Sequence, residues 1–135
     1  MNSTKICFAG SYKCDLMLYL SRVLVAAGKK TAIIDASQEQ LFRYAVPTFF
    51  SIDNIVTYRD VDVYFNILNS DDLKECIRET YDTILVDVGF NLQMAGFISQ
   101  CDFAILTTDP HRHHVQKLKE YIQELQKQIK NVPEE

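Results

Sequence analysis

Apolar runs of strand length alternate along this chain with segments whose apolar residues return every three or four positions. Ile6, Phe8 and Ala9 make a short run ending at Gly10, and from Leu16 the residues Leu16, Leu20, Val23, Leu24 and Ala27 fall at helical spacing. Gly28 with Lys29 and Lys30 predicts a helix stop, with cations at the negative end of the helix dipole. Thr31–Ile34 then reads as a buried strand carrying Asp35 at its carboxyl end. Gln38–Arg43 predicts one helical turn and Pro47 a break, while Thr48–Arg59 has no clear period. Val61–Ile67 alternates and is rich in β-branched and aromatic residues, which predicts a strand.

The second half repeats the alternation. Asn69 or Ser70 can cap a helix over Asp71–Thr80, whose first turn is acidic. Thr83–Val88 is a continuous apolar strand containing Asp87 and followed by Gly89. Leu92–Gln100 has helical spacing, and Asp102 leads into a further strand, Phe103–Thr107. Asp109-Pro110 predicts the start of a last helix running to Lys130, with Val115, Leu118, Ile122, Leu125 and Ile129 on one face. This order predicts an α/β fold: a doubly wound, mostly parallel sheet of about five strands with helices on both faces. No linker or repeat interrupts it, so residues 1–135 are expected to form one domain. Ligands of such sheets bind at the carboxyl ends of the strands, where Gly10, Lys13 and Asp35 fall.

Three segments in this order, GKKTAIIDAS, YDTILVDVGF and CDFAILTTDP, carry a family resemblance. The chain resembles the MinD/ParA branch of P-loop ATPases, which has a deviant Walker A loop of the form K-G-G-x-G-K-[ST]-[ST]. It is similar to a degenerate and shortened member of that branch. The resemblance implies a P-loop fold, with Lys13 at the phosphate-binding lysine and Asp87 at the Walker B aspartate. It implies Gly10, Ser11, Tyr12, Lys13, Cys14, Asp35 and Asp87 as the cofactor-binding set. Relatives of this kind form nucleotide-sandwich dimers that position other machinery.

The loop departs from that pattern. A P-loop needs several glycines so that consecutive N–H groups point at phosphate, and a Ser or Thr hydroxyl for Mg²⁺. Here Gly10 is the one glycine, the loop is about three residues short of that pattern, Tyr12 stands where a glycine belongs, and Cys14 and Asp15 take the hydroxyl positions. A thiol is a poor ligand for Mg²⁺, which demands hard oxygens. Ser37 replaces the second aspartate of the I-D-x-D motif, and the family continues well beyond the length of this chain. No cofactor is therefore expected, and the resemblance leaves room only for ATP or ADP held weakly and without Mg²⁺. The plain alternative makes Lys13 a solvent-exposed lysine in a strand–helix turn, with Asp35 and Asp87 capping turns or pairing with Lys13. For a scaffold, Lys13→Ala is expected to leave folding and partner binding unchanged; for an NTPase it is expected to abolish turnover and nucleotide-induced stabilisation.

His111 and His114 stand at i and i+3 with no carboxylate or cysteine at ligand spacing, so no metal site is expected and the cluster reads as an exposed partner-contact turn. Asp35, Asp87 and Thr107 imitate a receiver domain, but an extra strand and helix precede Asp35. The last helix is expected to pack on the sheet rather than form a coiled coil.

Composition narrows the partners. The 135 residues carry a net charge of −4, which does not favour direct nucleic-acid binding through phosphate neutralisation. No run is long enough to span a bilayer, and the N-terminus lacks a signal peptide's apolar core. Cys7, Cys14, Cys76 and Cys101 show no CxxC spacing and are expected to be reduced thiols in a cytoplasmic protein, Cys7 and Cys101 as core residues. The combined expectation is a non-hydrolysing scaffold or regulatory protein in a bacterial positioning, pilus or secretion, or partition system. It would dock onto a protein partner or form a homo- or heterodimer. The alternative is a weak ATP-binding protein or ATPase using Lys13, Asp35 and Asp87.

Overall fold

The computed structural model describes residues 3–11, 13–46, 54–67, 69–76 and 80–130. Its strands are β1 (Thr4–Gly10), β2 (Thr31–Asp35), β3 (Ile55–Tyr58), β4 (Val61–Tyr64), β5 (Thr83–Gly89) and β6 (Phe103–Thr107). They form one sheet in the order β3-β4-β2-β5-β1-β6, in which every pairing is parallel except β3 with β4. The helices are α1 (Cys14–Ala26), α2 (Phe42–Ala45), α3 (Ser70–Cys76), α4 (Ala95–Ile98) and α5 (Arg112–Lys130).

Every residue of β2 and β5 is buried, which is why both read as unbroken apolar runs rather than alternating ones. One face of the sheet packs Phe8, Ile33 and Leu85 against Met17 of α1 and Phe42 of α2. The other packs Ile34, Ile84 and Val86 against Leu73 of α3, Phe97 of α4, and Tyr121 and Leu125 of α5. Burying each such side chain contributes about 1.5–3 kcal/mol, so the two layers hold the sheet from both sides. The fold is doubly wound, as the alternation predicts. From β1 the chain crosses β5 to reach β2, and from β5 it crosses β1 to reach β6. The carboxyl ends of β1 and β5 therefore flank the crevice where connections diverge.

Two aspartates fix the opposite edge. Asp82, just before β5, accepts a hydrogen bond from Lys30 N–H at 2.8 Å, and Asp102, just before β6, accepts one from Lys5 N–H at 2.8 Å. The aspartates of the YD and CD dipeptides thus tie each strand's start to its neighbour. At the end of α1, Gly28 takes a φ of +83°, Gly28 N–H donates to Val25 O at 2.9 Å and Lys29 N–H to Leu24 O at 3.0 Å. These paired bonds are the Schellman stop that Gly28 announces in the sequence.

Several expectations change. The sheet has six strands: the added β3 forms a hairpin with β4 through Arg59 and Asp60, both at positive φ. The strand expected over Val61–Ile67 ends at Tyr64, and the segment Leu92–Gln100 divides into a 3₁₀ turn, Leu92–Met94, and α4. The helix expected from Asp71 begins at Ser70, and residues 77–79 of its expected course lie outside the described residues, as do Tyr12 and residues 47–53. The buried face of α1 centres on Met17 and Ser21, whereas Leu16 and Val23 of the expected apolar stripe are exposed. Ser21 can occupy the core because its hydroxyl donates to Leu18 O at 2.7 Å. Cys7 and Cys101, expected to be free thiols, are joined in a disulfide, because the β1–β6 pairing brings their Cα atoms to 6.4 Å. No helix among the described residues is long and apolar enough to cross a membrane.

Candidate functional site

Parallel strands deliver Gly10, Asp35, Asp87 and Thr107 to one edge of the sheet, at the carboxyl ends of β1, β2, β5 and β6. Gly10 is fixed by backbone approach. It takes a φ of +108°, and a Cβ there would lie 1.8 Å from the Thr107 carbonyl oxygen. Ser11 N–H donates to that same oxygen at 3.1 Å, and the Thr107 hydroxyl donates to Ser11 O at 3.0 Å. The segment after β1 is thereby pinned to the end of β6. With β1 ending at Gly10 and α1 beginning at Cys14, three residues separate strand from helix.

Lys13 is the N-cap residue of α1 and is buried, not solvent-exposed as the plain strand–helix reading expects. Its ammonium donates to the Gly10 carbonyl and lies 2.9 Å from Asp87 Oδ1. Asp87 also accepts from Gly89 N–H at 3.0 Å. Burial pushes the Asp87 carboxyl up to about 6 against the pull of Lys13, with the charge of Asp35 adding to the rise. Asp35 is fully buried and works as a capping group. It accepts from the Ser37 hydroxyl at 2.7 Å, from Ser37 N–H at 3.1 Å and from Phe42 N–H, at the start of α2, at 3.1 Å. Burial raises its pKa, and the bonds from Ser37 and Phe42 hold it back. Burial also pushes the Cys14 thiol up to about 12, with Asp87 and Asp35 adding to it. A thiol so raised stays protonated near neutral pH and is a poor nucleophile there.

The edge opens into a pocket of about 270 Å³. Its walls include Lys13 and Asp87 from the predicted set, together with Ser37, Phe90, His114 and Lys117. Lys117 sits with its ammonium 4.3 Å from the centre of the Phe90 ring, a cation–π contact that sets it at the wall. Ser11 Oγ is buried with no hydrogen-bond partner among the described residues. Asn91 is also buried: its side-chain amide donates to Ala36 O at 2.9 Å and its backbone carbonyl accepts from the Tyr121 hydroxyl at 2.9 Å. It locks α5 and the end of β2 to the segment after β5.

Gly10, Ser11, Lys13 and Asp87 come together at the pocket. Cys14 and Asp35 lie behind it, outside its walls, and Tyr12 is outside the described residues. Sequence reasoning missed Lys117, Phe90 and Asn91, because α5 and the segment after β5 approach the loop only through the tertiary fold. It also missed Asp109 beside the histidines. Asp109 accepts from His111 N–H and meets His111 Nδ1, both at 2.9 Å, and its second oxygen lies against His114 Nδ1. Desolvation works to raise the Asp109 carboxyl, but these bonds hold it down to about 2.

The fold is shared with plasmid partition proteins of solved structure. It is similar to the crystal structure of a plasmid partition protein from Borrelia burgdorferi B31 bound to AMPPNP, with a TM-score of 0.60 and 15% sequence identity over 98% of this chain and 71% of that one. A second crystal structure of a plasmid partition protein from Borrelia burgdorferi gives a TM-score of 0.56 and 14% identity over 94% of this chain and 74% of that one. No protein-family model and no curated protein matches the chain in sequence.

Proposed function

We propose that this chain is a single ParA/MinD-like domain that works by association rather than by hydrolysis. It docks onto a protein partner, or onto a second copy of itself, in a bacterial partition-related or positioning system. The observation that carries this reading is the Lys13–Asp87 ion pair at 2.9 Å. In a working P-loop the lysine is held ready for phosphate oxygens, and a hydroxyl beside it holds Mg²⁺. Here the lysine is already neutralised by the aspartate and bonded to the Gly10 carbonyl, three residues are too few for a ring of N–H groups, and Cys14 supplies a protonated thiol. These residues do not fit a Mg²⁺–triphosphate, and no hydrolytic step is derived from them.

Association is supported by the surface. Leu16, Tyr19 and Val23 make an exposed apolar stripe on α1, and Phe103 and Leu106 are exposed on β6, the last strand of the sheet. Phe103 shares a face with Ile105, which packs into the layer that contains Met17 of α1. Phe103 therefore lies on the α1 side of the sheet, at its last strand, while Leu106 is exposed on the opposite face of that strand.

A second reading, weak ATP or ADP binding without Mg²⁺, is favoured by the unpartnered Ser11 Oγ and by Lys117 and His114 in the pocket wall. Thermal unfolding with millimolar ATP, ADP and GTP, each with and without Mg²⁺, separates the two. A nucleotide at a hundred times its Kd adds about 2.7 kcal/mol, or about 10 °C for a domain of this size. The association reading expects no shift under any condition. A shift without Mg²⁺ supports the second reading, and a Mg²⁺-dependent shift accompanied by turnover overturns the first.

A further inference from the structure

We propose that Asp109, His111 and His114 form a binding site for a divalent transition-metal ion of the Zn²⁺ type, on the rim of the pocket where β6 passes into α5. One ligand atom from each residue lies within 4.8 Å of the others. The two imidazoles approach the two oxygens of one carboxylate: His111 Nδ1 is 2.9 Å from Asp109 Oδ1, and His114 Nδ1 lies against Oδ2.

The fold sets this convergence. Asp109 sits in the turn after β6, its carboxylate held by His111 N–H at 2.9 Å. His114 N–H in turn donates to His111 O at 3.0 Å, which closes the first turn of the helix and stacks the two histidines on one side of it. A four-coordinate ion with bonds of about 2.0–2.2 Å holds its ligand atoms about 3.4 Å apart. That spacing fits inside the 4.8 Å cluster with small side-chain rotations.

The donor set selects the metal. Two imidazole nitrogens and one carboxylate oxygen suit Zn²⁺ and its neighbours in the first transition row, whereas Mg²⁺ and Ca²⁺ demand oxygen ligands. Three protein ligands leave a coordination position open, the arrangement of zinc sites that take water or an incoming donor. His111 is 68% exposed, so an ion has a path in from solvent. His114 also lines the pocket, so the open position is within reach of an oxygen donor seated there. The site uses none of Lys13, Asp35 or Asp87, and it stands or falls independently of whether the pocket takes a nucleotide.

The test is Zn²⁺ binding to the full chain, measured by competition with a chromophoric chelator. The expected result is one ion per chain, weakened about tenfold or more in His111→Ala, in His114→Ala and in Asp109→Asn, and unchanged in His113→Ala. Asp109→Asn keeps an oxygen for His111 N–H, and circular dichroism checks that it folds. In the unsubstituted chain, the ring nitrogen resonances of His111 and His114 should move together as one equivalent of Zn²⁺ is added. Absence of stoichiometric binding overturns the proposal. So does binding that survives the His111→Ala/His114→Ala double substitution.

Discussion

The Lys13 ammonium lies 2.9 Å from Asp87 Oδ1, with the two residues 5% and 2% exposed. Removing one member of a buried pair leaves the other charge without its partner, at a cost of about 3 kcal/mol or more. Lys13→Met should therefore lower stability by about that amount in urea unfolding at neutral pH. Adding Asp87→Asn to it should restore most of the loss, because the amide carries no charge and still offers an oxygen to Gly89 N–H. A Lys13→Met variant as stable as the parent would show that the pair does not hold this edge together.

Asp87 also predicts a pH dependence. Its folded carboxyl is raised to about 6, mainly by burial, so between about pH 4 and pH 6 the folded state holds this proton and the unfolded chain does not. The stability it contributes is fully present below about pH 4 and is lost as pH rises through 6. A shift of about two pH units corresponds to about 3 kcal/mol. Asp35 is raised as well and acts with the same sign. Asp109, held down to about 2, acts oppositely: its contribution is present above about pH 4 and is lost as pH falls toward 2. Urea midpoints measured from pH 4 to pH 7 should fall, and Asp87→Asn should flatten the slope. A parent midpoint that rises steadily over this range would contradict the assignment.

The alternation of strand and helix was legible because buried parallel strands carry consecutive apolar residues, as in Ala32–Ile34 and Ile84–Val86. Gly28 was legible for a local reason, since a left-handed residue after a helix is most often glycine. The β3–β4 hairpin was not. Its turn places Arg59 and Asp60 at φ of 51° and 66°, where sequence rules look for Asn-Gly or Asp-Gly. The face of α1 was misread because apolar residues occur on both sides of that helix, and a serine, Ser21, shares its buried face by closing its hydroxyl on Leu18 O. At the candidate site, Gly10, Lys13 and Asp87 stood out as strand-end residues. The burial of Lys13 did not, because its partner comes from a distant strand. Asp109 was recognised only as a helix start, since ligand spacing was sought within the helix and not in the turn before it.

The two glycines that flank α1 should behave differently. At Gly10 a Cβ would lie 1.8 Å from the Thr107 carbonyl oxygen, on backbone that can move only by separating β1 from β6. Gly10→Ala is therefore expected to cost at least about 3 kcal/mol and to lower amide-exchange protection along β6. At Gly28 nothing lies within 4 Å of the added Cβ, so Gly28→Ala meets only the strain of a positive φ, about 1–2 kcal/mol. Equal losses at the two positions would mean that conformation, rather than close approach, governs Gly10.

The association reading makes its own demand on the surface. Tyr19 is 67% exposed and Phe103 61% exposed, so neither is needed to complete the core. Tyr19→Glu and Phe103→Glu should each change folding stability by no more than about 0.5 kcal/mol. If the stripe on α1 and the outer strand form the self-association surface, sedimentation velocity on the parent chain should show a concentration-dependent dimer. Either glutamate should weaken it about tenfold or more, because a charge buried in an apolar contact loses its hydration without a partner. A parent chain that stays monomeric throughout would remove self-association from the reading and leave docking onto a different protein. A dimer indifferent to both substitutions would place its interface on another face.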